Sequence, residues 1–182
     1  MPDRIGRVAL AIAGMVVSGA VSAAERYDLG RPATPAEIAG WDIDASASGA
    51  GLPPGHGDVR QGEAIFAAKC ASCHGAHGEG KPMDRLVGGI GTLHEKKPEK
   101  TVGSFWPYAT TLFDYVGRAM PLNAPQSLIP DEVYAVSAYV LFLNGIVTQD
   151  TTLDADTLAK IKMPNRDGFV SAYPAPGATA KP

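Results

Sequence analysis

The sequence predicts an all-α domain with long loops and extended N- and C-terminal arms, and three observations predict it. Apolar residues recur at three-to-four spacing in three stretches, at 59–69, 107–120 and 130–145. The 21 glycines and 15 prolines point to much irregular chain around them. The length of 182 residues suits one compact domain with tails.

Taken in order, residues 1–24 read as an export signal. Arg4 and Arg7 precede an apolar run at 8–17, and small residues follow up to Ser22, Ala23 and Ala24, with cleavage expected after Ala23 or Ala24. The run falls well short of the roughly 20 residues that span a bilayer, and Gly14, Ser18 and Gly19 dilute it, so stable membrane insertion is not expected. Removal of the signal takes away Asp3, Arg4 and Arg7, a net charge of +1, which shifts the formal charge from −3 to −4. A mildly acidic chain without a basic stripe is a poor nucleic-acid binder.

Residues 25–58 form an expected arm. Pro32, Pro35, Pro53, Pro54 and a Gly/Ser/Ala stretch at 45–57 favour extended chain, with one short helix at 35–39 capped by Thr34. Trp41 is anomalous there, because so large an apolar ring is normally buried against something, and that something need not be this chain. The core is expected at 59–147. Its first helix spans 59–69, with Gly62 and Phe66 four apart on one face and Ile65 beside them. A Gly-rich loop follows at 75–105. The second helix starts at Pro107, carries Leu112, Tyr115, Val116 and Ala119, and stops at Met120-Pro121. The third opens with Asp131 and Glu132 after Pro130, carries Val133, Val136, Val140 and Leu143, and stops at Gly145. A weak helix at 154–162 and a Pro/Ala-rich end complete the tail, 148–182.

The chemistry concentrates at the end of the first helix. Cys70 and Cys73 are the only cysteines, and in an exported chain their number alone reads as a disulfide. His74 changes that reading, because C-x-x-C-H is the attachment signature of haem c. Three residues of spacing let one helical turn present both sulfurs to the two vinyl groups, and His74 then faces the iron as proximal ligand. A single motif implies one covalently bound haem c. A thioredoxin-like pair needs a βαβ context that the helical patterns do not supply. A zinc site drawn from Cys70, Cys73, His74 and His77 lacks the separated second pair of structural sites.

For the second axial position the candidates are Met120, Met83, Met163, His56, His77 and His94. Met120 is the choice. It ends a helix before Pro121, far enough beyond His74 for the chain to wrap the haem. Met83 lies too near the proximal side, Met163 lies in the tail, and the three histidines sit in polar, Gly-rich surroundings. Trp106 and Tyr108 are candidate hydrogen-bond donors to a haem propionate, and Arg85 and Arg118 are candidate ionic partners for the same groups.

Gly62 and Phe66 on the first helix, facing Tyr139 and Leu143 on the last, suggest a close crossing of the kind that resembles class I cytochrome c over residues 59–147. A narrower likeness lies around it. Trp41-Asp42-Ile43-Asp44, Gly51-Leu52-Pro53-Pro54-Gly55, the run at 100–115 and Pro164-Asn165-Arg166-Asp167-Gly168-Phe169 together resemble the cytochrome subunits of sulfite and sulfur dehydrogenases. The resemblance implies a periplasmic electron-transfer subunit, not an enzyme by itself. It would accept single electrons from a molybdopterin-containing dehydrogenase subunit, in a heterodimer or heterotetramer, and pass them to a soluble acceptor cytochrome c. One haem rather than two leans the likeness towards the sulfite type. A free-standing periplasmic shuttle is the alternative, and the extra tails count against it. A peroxide- or gas-binding enzyme requires an open distal position, against which Met120 argues.

Overall fold

The computed structural model describes residues 29–173. The expected export signal, the start of the arm at 25–28 and the end of the tail at 174–182 lie outside the described residues. The chain divides into two units, Met1–Thr34 and Pro35–Pro182, and the described part of the first, residues 29–34, carries no helix or strand.

In the second unit the elements run α1 (Pro35–Ala39), β1 (His56–Asp58), α2 (Val59–Lys69), α3 (Ala71–His74), α4 (Ala109–Ala119), α5 (Pro130–Leu143), β2 (Thr152–Asp154) and α6 (Ala155–Leu158). The all-α class I architecture with long loops holds. Among the described residues, no helix is long and apolar enough to cross a membrane.

The core is the crossing of α2 over α5. Val59, Gly62 and Phe66 are buried on α2, and every residue from Val133 to Leu141 is buried on α5, more than the single expected stripe. Gly62 is what lets the backbones meet, since a Cβ there would stand 1.9 Å from the Ala135 carbonyl oxygen and 2.8 Å from Tyr139 Cβ. One turn on, the Phe66 and Tyr139 rings lie 5.4 Å apart and tilted, an arrangement worth more than area burial alone. Helix α4 packs on the same core through Leu112, Phe113 and Val116, with the Phe113 ring 4.4 Å from that of Tyr134.

Two boundaries differ from expectation. Helix α4 starts at Ala109 rather than Pro107, because Tyr108 is extended and its backbone bridges to Lys162 in the tail. The tail is also more ordered than its composition suggests. β2 pairs antiparallel with β1, Asp154 caps the one-turn α6, and Leu153, Leu158 and Met163 are buried in the main core. The weak helix expected over 154–162 shortens to Ala155–Leu158 because the chain must straighten to reach that bridge.

The arm divides in two. From Ala45 onward it lies on the core: the Ala45 N–H donates to Asp114 Oδ1 at 2.8 Å, Leu52 packs inward, and the Tyr134 hydroxyl donates to the Pro53 carbonyl at 2.8 Å. Before that point Ile38, Trp41 and Ile43 face solvent, Trp41 with 89% of its surface exposed.

Candidate functional site

Asp58 starts α2 with a reciprocal cap, its carboxylate accepting from Gln61 N while Gln61 Oε1 accepts from Asp58 N. The helix closes at Cys70, and a further turn carries Cys73 and His74, whose N–H groups both donate to the Cys70 carbonyl, at 3.1 and 3.0 Å. Both sulfurs therefore sit one helical turn apart, half-buried and unbonded to each other. Burial pushes the Cys70 thiol up to about 11, with the Lys69 charge opposing and Cys73 adding to the rise. A disulfide oxidoreductase needs a thiol shifted the other way. This pair fits thioether attachment instead.

The chain then folds back on the motif. Gly80 N donates to the His74 carbonyl at 2.7 Å and Met83 N to the Cys73 carbonyl at 2.9 Å. His74 Nδ1 lies 2.8 Å from the Asp84 carbonyl oxygen. A carbonyl only accepts, so Nδ1 carries the proton and Nε2 keeps its lone pair for a metal. Two free half-buried thiols one turn apart, beside an imidazole held in its ligand tautomer, are the donor set that haem c requires. Cys70 and Cys73 would hold the porphyrin edge and His74 the iron.

Met120 is the residue that ends α4, half-buried against the core, with its N–H donating to the Val116 carbonyl at 3.0 Å. The rival donors lie elsewhere. Met83 is tied by its backbone to the Cys73 side, Met163 is buried in the tail's contact with the core, and His56, His77 and His94 are exposed.

The four candidate propionate partners are not brought together. Trp106 packs edge-on against Tyr115 at 5.7 Å, and the Tyr108 ring lies 4.1 Å beneath the Arg166 guanidinium. Arg85 is engaged by Glu99 at 2.8 Å and by the Glu79 carbonyl at 3.3 Å. Arg118 is engaged by Asp114, to which Nε donates at 2.9 Å. Propionates would have to compete with those carboxylates for either arginine.

Two supports were not anticipated. Asn144, the residue after α5, holds the glycine loop to the core: Gly88 N donates to its Oδ1 at 3.1 Å, and its Nδ2 donates to the Leu86 and Val140 carbonyls at 3.2 and 2.9 Å. A polar side chain directly before the helix-stopping Gly145 was the available signal. The Asp84 contact is made by a backbone carbonyl, and side-chain identity gives no sign of it.

Two of the stretches that carried the narrower likeness also meet. Asn165 Nδ2 donates to the Phe105 carbonyl at 2.8 Å, the Phe105 and Phe169 rings lie 5.2 Å apart, and Arg166 covers Tyr108. The run at 100–115 and the segment at 164–169 thus form one surface.

Comparison with known proteins agrees. The family model for cytochrome c matches residues 59–144. A chain in the crystal structure of the sulfane dehydrogenase SoxCD from Paracoccus pantotrophus is 44% identical, with a TM-score of 0.76, over 80% of this chain and 72% of that one. A search of curated proteins gave no match.

Proposed function

The chain belongs to the class I c-type cytochromes of the sulfur dehydrogenases, and on that premise we propose that it is the electron-transfer subunit of a periplasmic molybdopterin dehydrogenase. It takes single electrons from the molybdenum subunit, which alone binds a sulfite or sulfane substrate, and passes them to a soluble acceptor cytochrome. One observation carries this reading. The likeness to the sulfane dehydrogenase covers 80% of the chain, well beyond the cytochrome stretch 59–144 and into segments that a free carrier has no use for.

The haem, once attached, supplies a one-electron couple. The protein's part is to hold it. Cys70 and Cys73 would anchor it covalently, His74, held with its Nδ1 on the Asp84 carbonyl, would give its Nε2 to the iron, and Met120 would supply a thioether, a ligand that favours the reduced iron. With both iron ligands supplied by the protein, no position would be left for peroxide or a gas.

The arm supports the same reading. Ile38, Trp41 and Ile43 present apolar surface on the stretch just before Ala45, whose N–H is bonded to Asp114 on the core. An exposed tryptophan of this kind suits the central anchor of an interface. Isolation of the native complex tests the proposal: a molybdenum-containing chain should co-elute, and sulfite or a sulfane donor should reduce the haem. Trp41→Ala should weaken association by about 2 kcal/mol or more while leaving the haem spectrum unchanged. Elution of the cytochrome alone, or a haem that the dehydrogenase with its substrate does not reduce, would overturn it.

A further inference from the structure

Met120 has little to hold it from its far side. Pro121 offers no N–H, and residues 122–127 are exposed and bonded locally, Ala124 N to the Pro121 carbonyl and Ser127 N to that of Ala124. Its position therefore rests on its packing against the core and on the last turns of α4. Those turns meet the arm at the Asp114 carboxylate. Asp114 receives the Ala45 N–H at 2.8 Å from 69 residues away, and the same side chain receives Arg118 through both Nε and Nη2. Only 11% of the Asp114 side chain is exposed, against 46% of Arg118. Burial alone would raise the Asp114 carboxyl, but the hydrogen bonds from Arg118 and Ala45, with the Arg118 charge, bring it below its ordinary value. Asp44 adds a second negative charge beside Arg118.

We propose that Asp114 and Arg118 are positioning residues for Met120, clamping the turn from which it departs against the arm at Ala45. A bidentate guanidinium–carboxylate pair fixes orientation as well as distance, which a point charge cannot do. The clamp also joins two functions that are separate in sequence. The arm that presents Trp41 is fastened to the helix that presents the sixth ligand, so a partner pulling on the arm acts on the ligand.

This rests on Met120 being the axial ligand, and the experiment separates the two ideas. The oxidised holoprotein is titrated with imidazole, and loss of the long-wavelength thioether-to-iron charge-transfer band is followed in the wild type, Asp114→Asn, Arg118→Gln, the double variant and Arg118→Lys. The wild type should show the band. In each of the first two variants the imidazole concentration that displaces half of it should fall about tenfold, as expected for a lost charge-assisted bond. The double variant should be no worse than the worse single one, because both break one unit. Arg118→Lys should recover only part of the loss. A wild type without the band defeats the Met120 assignment and the clamp together. A wild-type band with unchanged displacement in both single variants overturns the clamp alone. If Asp114→Asn fails to fold, the exposed Arg118→Gln decides the matter by the same reading.

Discussion

The segment that carries His74 and the helix that carries Met120 are held by different kinds of contact. On the His74 side, residues 70–84 bond mainly to themselves through the backbone: Cys73 and His74 to the Cys70 carbonyl, Gly80 and Met83 back to the motif, and the imidazole to the Asp84 carbonyl. On the Met120 side, beyond the helix's own bonds and the Asp114–Arg118 pair, α4 is held by parts of the chain distant in sequence. It lies on α5 through Leu112, Phe113 and Val116 and is tied to the arm through the Asp114 carboxylate. Backbone bonds tolerate changes of side chain, whereas packing and ion pairs depend on which side chains are present. The covalent, anchoring half of the site is thus locally encoded, and the adjustable half is set by tertiary contacts.

The largest effect should come from the local half. Cys70→Ser or Cys73→Ser should weaken covalent attachment, and the double variant should release its haem to acid-acetone extraction while the wild type retains it. Haem that leaves the wild-type chain freely would show that the comparison has the wrong anchor.

Next comes the crossing that supports both halves. A Cβ at Gly62 would stand 1.9 Å from the Ala135 carbonyl oxygen, which is backbone and has nowhere to go. Gly62→Val should cost about 3 kcal/mol or more by forcing α2 and α5 apart. Thermal or denaturant unfolding of the holoprotein would read it, and a loss under about 1 kcal/mol would mean that the two helices separate easily.

Asn144→Ala sharpens the comparison between loop and helix. It should cost about 1–3 kcal/mol, because the Gly88 N–H and the Leu86 and Val140 carbonyls lose a partner in a part-buried place. Hydrogen exchange at 86–88 should rise while that in α2 stays level.

The smallest effects lie on the surface. Lys69 and Glu132 pair at 2.7 Å between the end of α2 and the start of α5, yet both are partly exposed, so Glu132→Gln should cost no more than about 1 kcal/mol. The hydrogen bond from Lys69 is the main cause that lowers the Glu132 carboxyl, and Asp114 is lowered as well. A carboxyl lowered by folding adds stability that is present above its ordinary value and is lost as pH falls through the lowered one. Unfolding followed from neutrality down past about pH 4 should therefore steepen in the wild type and be flatter in Asp114→Asn, with Glu132→Gln showing the lesser change.

How much of this was legible in the sequence follows the same division. The attachment motif, the bounds of α2 and α5 and the close approach at Gly62 were readable, because each rests on local spacing or on a missing side chain. The start of α4 was misread at Pro107, since a pairing with Lys162 settles it from more than 50 residues away. The tail's composition concealed Leu153, Leu158 and Met163, whose burial depends on a strand pairing between the two ends of the domain. Nothing in the sequence singles out Asp114, because only the fold brings Ala45 to it.

The most direct test of the proposal that His74 and Met120 both hold the iron is carbon monoxide added to the reduced holoprotein. With His74 and Met120 in place, the absorption spectrum should remain that of the reduced protein. Prompt formation of a carbon monoxide adduct in the wild type would show an open sixth position and contradict the account.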